Sequence, residues 1–275
     1  MSGFDWTDGG SGILSVSGVN LEYACWGPAP DQAPTLVLLH EGLGCVALWR
    51  EFPANLAQAT GLGVFAYSRK GYGKSDPVTL PRPLDFMAQE AQEVVGPLLD
   101  AIGLRRGVLL GHSDGATIAA QYGGGVQDHR VRGLVLMAPH FFTEPGGLAE
   151  IAQVRDVYAQ GDLKAKMGRY HDDPEGAFRG WNDVWLDPGF KAWNVADVID
   201  YFRVPVLAIQ GHGDQYGTMA QIDVIEERSY APVELLKLDD CGHAPHLEQS
   251  EQVLAAISGF VARLVRIEAA EVIPA

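Results

Sequence analysis

The chain has 275 residues, 47% hydrophobic and 20% charged, a composition inside the globular range and far from disordered, collagen-like or coiled-coil chains. Its 35 acidic and 20 basic residues give a formal charge of -15, a field that repels nucleic-acid phosphates and anionic lipid head groups, so neither partner is expected. The three cysteines, Cys25, Cys45 and Cys241, stand at no metal-ligand spacing, which argues against a disulfide framework and for a reducing compartment. The opening MSGFDWTDGGSG lacks a basic, then apolar leader, and no apolar run approaches the roughly 18 residues of a membrane span, so the expected location is the cytoplasm.

In chain order, short apolar runs rich in β-branched residues recur with helical patterns between them, as in strands buried on both faces of a parallel sheet. Eight strands are expected, over Gly12–Val16, Val19–Trp26, Thr35–His40, Gly63–Tyr67, Gly107–Gly111, Val131–Met137, Val206–Gly211 and Val233–Leu238. Ser17-Gly18 reads as a two-residue hairpin turn, so the first two strands should be antiparallel at one edge. Helices are expected over Leu48–Ala59, Leu84–Leu104, Ala116–Gly123, Thr218–Glu227 and Leu247–Ile267, the second interrupted at Gly96-Pro97. From Phe141 to Arg203 no strand-like run occurs, yet the segment carries Trp181, Trp185 and Trp193. A bare loop of that length would be exceptional. It reads as a mostly helical cap over the carboxyl edge of the sheet, where open α/β sheets bind ligands. The fold class is thus α/β, with an eight-stranded, mostly parallel sheet; the core is 1–140 and 204–275, and the cap is 141–203.

The chemistry begins after Gly107-Val108-Leu109-Leu110, where Gly111-His112-Ser113-Asp114-Gly115 leads directly into a helical run. In a chain with 33 glycines the bare G-x-S-x-G pattern carries little weight; its place between a buried strand and a helix gives it meaning. Such a turn strains the nucleophile, and side chains at the flanking glycines would collide with backbone. A serine hydroxyl needs a base, and the base needs an acid to fix its tautomer. Asp214 follows the seventh strand in Gly211-His212-Gly213-Asp214, and His243 follows the eighth in Asp239-Asp240-Cys241-Gly242-His243. Ser113, Asp214, His243 is the chain order such folds use.

With Leu38-Leu39-His40-Glu41-Gly42 after the third strand and Ser-Arg-Lys-Gly-Tyr-Gly-Lys-Ser at 68–75, these motifs span nearly the whole chain in order, and it resembles the α/β-hydrolase superfamily. Its elbow is similar to that of the capped, esterase-like group that includes valacyclovirase-like hydrolases. The resemblance implies a cofactor-independent serine hydrolase acting on a small-molecule carboxylic ester, with no metal. Thioester, lactone, amide and carbon–carbon bond hydrolysis, or cofactor-free lyase or oxygenase chemistry on the histidine base, remain open alternatives, as does a homodimer. The family's oxyanion donors map to the main-chain amides of Gly42 and Asp114, with that of Glu41 as runner-up. Here the sequence departs from the family's His-Gly-x: a carboxylate at Glu41 pointing inward would oppose the developing oxyanion. Glu41 is therefore expected to turn away or to pair, for example with Arg69 or Lys70.

Each candidate also has a plainer reading. His246 competes with His243 but fits a helix-start residue. Asp239 and Asp240 are too close in sequence to reach His243 across the strand ends, and Glu144 is an outside alternative to Asp214. The paired His40 and Glu41, with His112, His140 and His212, lack HExxH or cysteine–histidine spacing. Cys45 and Cys241 suit small-residue packing, and Trp49 suits packing under the oxyanion loop. Glu41, His140, Trp181, Trp185 and Trp193 are candidate substrate contacts, the tryptophans being either cap core or pocket wall. Asp114 is either an acid favoured at a helix N-terminus or, by the resemblance, a site for a substrate cation.

Overall fold

The computed structural model describes residues 4–271. Eight strands, β1 (Ser11–Val16), β2 (Val19–Trp26), β3 (Thr35–Leu39), β4 (Gly63–Tyr67), β5 (Gly107–His112), β6 (Val131–Met137), β7 (Val206–Gly211) and β8 (Val233–Leu238), form one sheet in the order 1-2-4-3-5-6-7-8. β1 and β2 pair antiparallel through Ser17 and Gly18, both at positive φ as a type I′ turn needs. β2 is antiparallel to β4, and every later pairing is parallel.

The side-chain period of two sorts each strand between two cores. Val37, Leu39, Phe65, Leu109 and Leu136 point to one face. Leu36, Leu38, Val64, Leu110 and Val135 point to the other, against helix α1 (Phe52–Thr60) and helix α10 (Ser250–Glu271), which contributes Val253, Ile257 and Phe260. Burying each such Leu, Val or Phe contributes about 1.5–3 kcal/mol, which is why the central strands carry no polar face. The strand ends are thereby fixed, and the loops leaving them inherit that rigidity.

Helix boundaries depart from expectation where special backbone intervenes. The helix expected over Leu48–Ala59 is a 3-10 turn (Val46–Trp49) and then α1, because Arg50 stands at φ 52 between them. The one expected over Leu84–Leu104 is α2 (Phe86–Gln89), a π-helical stretch (Glu90–Val95) and α3 (Gly96–Ala101). Pro97 has no N–H for the α-ladder, and wider turns carry the chain past it. α4 (Asp114–Gly125) and α8 (Ala220–Arg228) fall within two residues of expectation at each end. A short α9 (Pro245–Glu248) precedes α10. Between β6 and β7 the chain is helical: α5 (Pro145–Gln160), α6 (Leu163–Met167), α7 (Pro174–Trp185) and two 3-10 turns. Asp173 caps α7 by accepting from the Gly176 amide at 2.9 Å.

Candidate active site

Ser113 stands between β5 and α4 at φ 54, ψ -121, a region that L-residues avoid. The turn closes only because both flanking positions are glycine. A Cβ on Gly111 would lie 2.2 Å from the Gly115 oxygen, and one on Gly115 would lie 2.0 Å from the Leu39 oxygen. The Ser113 amide donates to the Met137 oxygen at 2.9 Å, and its own carbonyl accepts from Ala116 and Thr117 at the start of α4.

The candidate acid and base follow the two strands beyond β6. Asp214 Oδ2 accepts from His243 Nδ1 at 2.8 Å and from Gln210 Nε2 at 2.9 Å, while Oδ1 accepts from the Tyr216 amide at 2.8 Å. Burial pushes the Asp214 carboxyl up, but the hydrogen bond and charge of His243, with the Tyr216 amide, outweigh it and leave it below its usual value. A carboxylate only accepts, so the proton on His243 Nδ1 is committed to Asp214. Main-chain bonds from His212 to Leu238 and from Gly213 to Cys241 tie the acid turn to the histidine turn. Glu144 lies elsewhere: its carboxylate accepts from the Thr218 amide and hydroxyl and from Gln221.

Ser113 and His243 line one cavity of about 120 Å³ with Glu41, Gly42, Asp114 and His140. Its apolar wall comes from Leu43, Ile151, Val154, Trp181, Trp185 and Tyr216. Larger hollows of about 410 and 490 Å³ lie at the base of β6 and beside the β1–β2 hairpin. Neither is lined by Ser113 or His243, the two candidate residues that line the smaller cavity. Trp193 is not on its wall; it stacks on Phe190 at 4.9 Å and meets Trp185 edge-on. Trp49 is packed beneath, with Phe52 and His246. Burial, and then the charges of neighbouring histidines, push His140 and His246 down to about 3. Both rings are therefore neutral at neutral pH. Among the described residues no group of three or more His, Cys, Asp or Glu side chains is arranged to hold a metal.

Glu41, expected to turn away or to pair, stands against a partner other than the two named as examples, Arg69 and Lys70: its carboxylate is 3.7 Å from His112 Nδ1. Arg69, fully buried under the loop, instead donates from Nη2 to the main-chain oxygens of Glu41 (2.8 Å) and His40 (3.3 Å). The same Nη2 lies 4.0 Å from Asp114 Oδ2. Asp114 is fully buried, with Oδ1 accepting from Trp185 Nε1 at 3.2 Å. Burial pushes its carboxyl up against the pull of Arg69 and Arg82, and Arg69 already supplies a countercharge. Sequence reasoning missed His171, whose Nδ1 accepts from the Gly73 amide at 2.9 Å and whose Nε2 donates to the Leu43 oxygen at 3.0 Å. It fastens the helical segment to two site loops. A lone histidine after α6 gives no local sign of contacts so distant in the chain.

A parallel sheet with a strained serine elbow after β5 and an acid–histidine pair after β7 and β8 is the architecture of an alpha/beta hydrolase. Residues 36–256 match the alpha/beta hydrolase family, and the chain belongs to it. It is similar to a non-heme chloroperoxidase of Streptomyces lividans, 27% identical over 74% of this chain and 82% of the relative. In fold it is similar to the enol-lactonase of Burkholderia xenovorans, with a TM-score of 0.71, 17% identity and coverage of 91% and 100% of the two chains. The proline iminopeptidase of Mycobacterium smegmatis is likewise similar, with a TM-score of 0.71, 19% identity and coverage of 93% and 98%.

Proposed function

We propose that the chain is a serine hydrolase that cleaves small carboxylic esters through an acyl-enzyme. The observation that carries this reading is the 2.8 Å hydrogen bond from His243 to Asp214, with His243 lining one cavity with Ser113. His243 Nε2 takes the Ser113 proton as the serine oxygen attacks the ester carbonyl. The main-chain amides of Gly42 and Asp114 hold the oxyanion, with that of Glu41 as the alternative. The protonated His243, oriented by Asp214, gives its proton to the leaving alcohol, and a water activated by the same ring releases the acid. No cofactor takes part.

The cavity supports the substrate size. A cavity of about 150 Å³ holds benzene, and about 120 Å³ is of that order, which supports a short or single-ring acyl group. Trp181 and Trp185 are its apolar contacts, Glu41 and His140 its polar ones, and residues 141–203 serve as the cap that closes over it. Ring-opening of a small lactone would use the same atoms. The test is a p-nitrophenyl ester panel from acetate to laurate, with one aromatic and one amino-acid ester, on wild type and Ser113→Ala. Turnover of the short and aromatic esters that falls at least about a thousandfold in the variant is expected. Undiminished activity in Ser113→Ala would refute the mechanism, and a preference for laurate would refute the size assignment.

A further inference from the structure

A second carboxylate and imidazole meet beside His243. β5 ends on His112, whose buried ring places Nε2 2.7 Å from the main-chain oxygen of His243. A carbonyl oxygen only accepts, so Nε2 carries a proton. Among the described residues Nδ1 has no hydrogen-bond partner, and it faces Glu41 Oε2 at 3.7 Å. A carboxylate also only accepts. A bare lone pair on Nδ1 would set two acceptors against each other, whereas a second ring proton makes the contact an ion pair.

The loop is shaped for that contact. Glu41 accepts the Gly44 amide at 3.1 Å through its main-chain oxygen, and its carboxylate folds over Gly44, where an added Cβ would stand 2.3 Å from Oε2. Burial pushes the Glu41 carboxyl up, but the His112 ring beside it prevails and holds it well below the usual carboxylate range. The other groups that face the pair do not compete. His140 after β6 and His246 in α9 are neutral, and burial likewise holds His40 and His171 below their ordinary value. His243, ring to ring at 5.1 Å, is engaged by Asp214.

We propose that Glu41 and His112 form a carboxylate–imidazolium pair that positions the base: the doubly protonated His112 ring grips the His243 main chain while its charge neutralises the Glu41 carboxylate in the oxyanion loop. Both are positioning residues. The inference rests on the hydrolase reading only in naming His243 the base. It also accounts for a carboxylate where the family pattern has glycine, since the acid is paired rather than aimed at the oxyanion.

The first arm of the test observes the full chain, labelled with ¹⁵N-histidine, by long-range ¹H–¹⁵N correlation at pH 7.5. His112 should carry protons on both ring nitrogens, and on Nε2 alone in Glu41→Gln and in Gly44→Ala. Gly44 is outside the left-handed region, and the atoms nearest its new methyl group are those of the carboxylate. A singly protonated ring in wild type, or one unchanged in Glu41→Gln, would overturn the pair. This arm needs no turnover, so its outcome is separate from that of the hydrolase reading, which fails if Ser113→Ala stays active.

The second arm compares kcat for a short ester in Glu41→Gln, His112→Gln and the double variant. His112→Gln leaves an uncompensated carboxylate by the oxyanion, so the double variant should be faster than His112→Gln by about tenfold with KM little changed, a coupling in the ordinary range for contacting charged groups. A double variant no faster than His112→Gln would overturn the neutralising role, because a group that merely filled space would give no such recovery.

Discussion

Replacing Gly42 by alanine tests whether the oxyanion loop and the tryptophan wall form one packed unit. Gly42 is outside the left-handed region, so its backbone accepts alanine. The conflict is with a side chain: the new Cβ would lie 2.2 Å from Trp181 Nε1 and 2.3 Å from Cδ1. Carbon atoms rest about 3.5–4.0 Å apart, so the indole or the loop must give by more than about 1 Å. The indole has little room, being 8% exposed and packed edge-on against Phe178. Movement of the loop shifts the proposed oxyanion donor, and a displacement of about 1 Å costs about 100-fold in rate. Overpacking itself costs about 1–3 kcal/mol. Gly42→Ala should therefore lower kcat/KM for p-nitrophenyl acetate by about two orders of magnitude and lower the urea midpoint. Adding Trp181→Leu removes the clash and should restore the midpoint and part of the rate. Wild-type kinetics and midpoint in Gly42→Ala, or a double variant no more stable than the single, would refute the reasoning.

Three further outcomes follow from the same geometry. His140 and His246 stay neutral in the fold down to about pH 3, whereas an unfolded chain protonates them near 6.5. Their contribution is fully present above about pH 6.5 and is lost as pH falls, by about 1.4 kcal/mol per unit for each ring. Urea melts at pH 7, 6 and 5 should show that decline, and His246→Phe should make it shallower; an unchanged slope would contradict the assignment. Gly115→Ala places a Cβ 2.0 Å from the Leu39 oxygen and 2.4 Å from its carbonyl carbon. Both are strand backbone that cannot rotate away, so the loss should exceed about 4 kcal/mol, and circular dichroism showing a native-like, stable variant would contradict this. Asp214→Asn should keep the fold and lower kcat for a short ester by about 10⁴, through the wrong His243 tautomer; a loss below about tenfold would argue against that role.

The sheet was legible because parallel strands buried on both faces are apolar through their centres, and β3 to β7 carry that signal, with polar residues confined to positions near their ends. Element order and the elbow's context put Ser113 after β5, Asp214 after β7 and His243 after β8. What escaped depends on contacts distant in sequence. Nothing local predicts that Arg50 takes positive φ and splits a helix, or that a π-helical stretch absorbs Pro97. For Glu41 the sequence supports turning away or pairing, and charge alone offers Arg69 and Lys70 only as examples of a partner. The choice of His112 follows from the burial of Arg69 beneath the loop and from the loop folding the carboxylate over Gly44. Of the three tryptophans, Trp181 and Trp185 face the cavity from α7 and Trp193 packs behind them. Composition could not separate these positions.

The central claim is that Ser113 is the nucleophile. The most direct measurement is treatment of the full chain with a fluorophosphonate, followed by intact-mass and peptide mapping of the adduct. One phosphonyl group per chain is expected, on Ser113, with fluoride released, loss of esterase activity in step with labelling, and no adduct in Ser113→Ala. Wild-type protein that hydrolyses esters yet stays unlabelled, or is labelled on another residue, would contradict it.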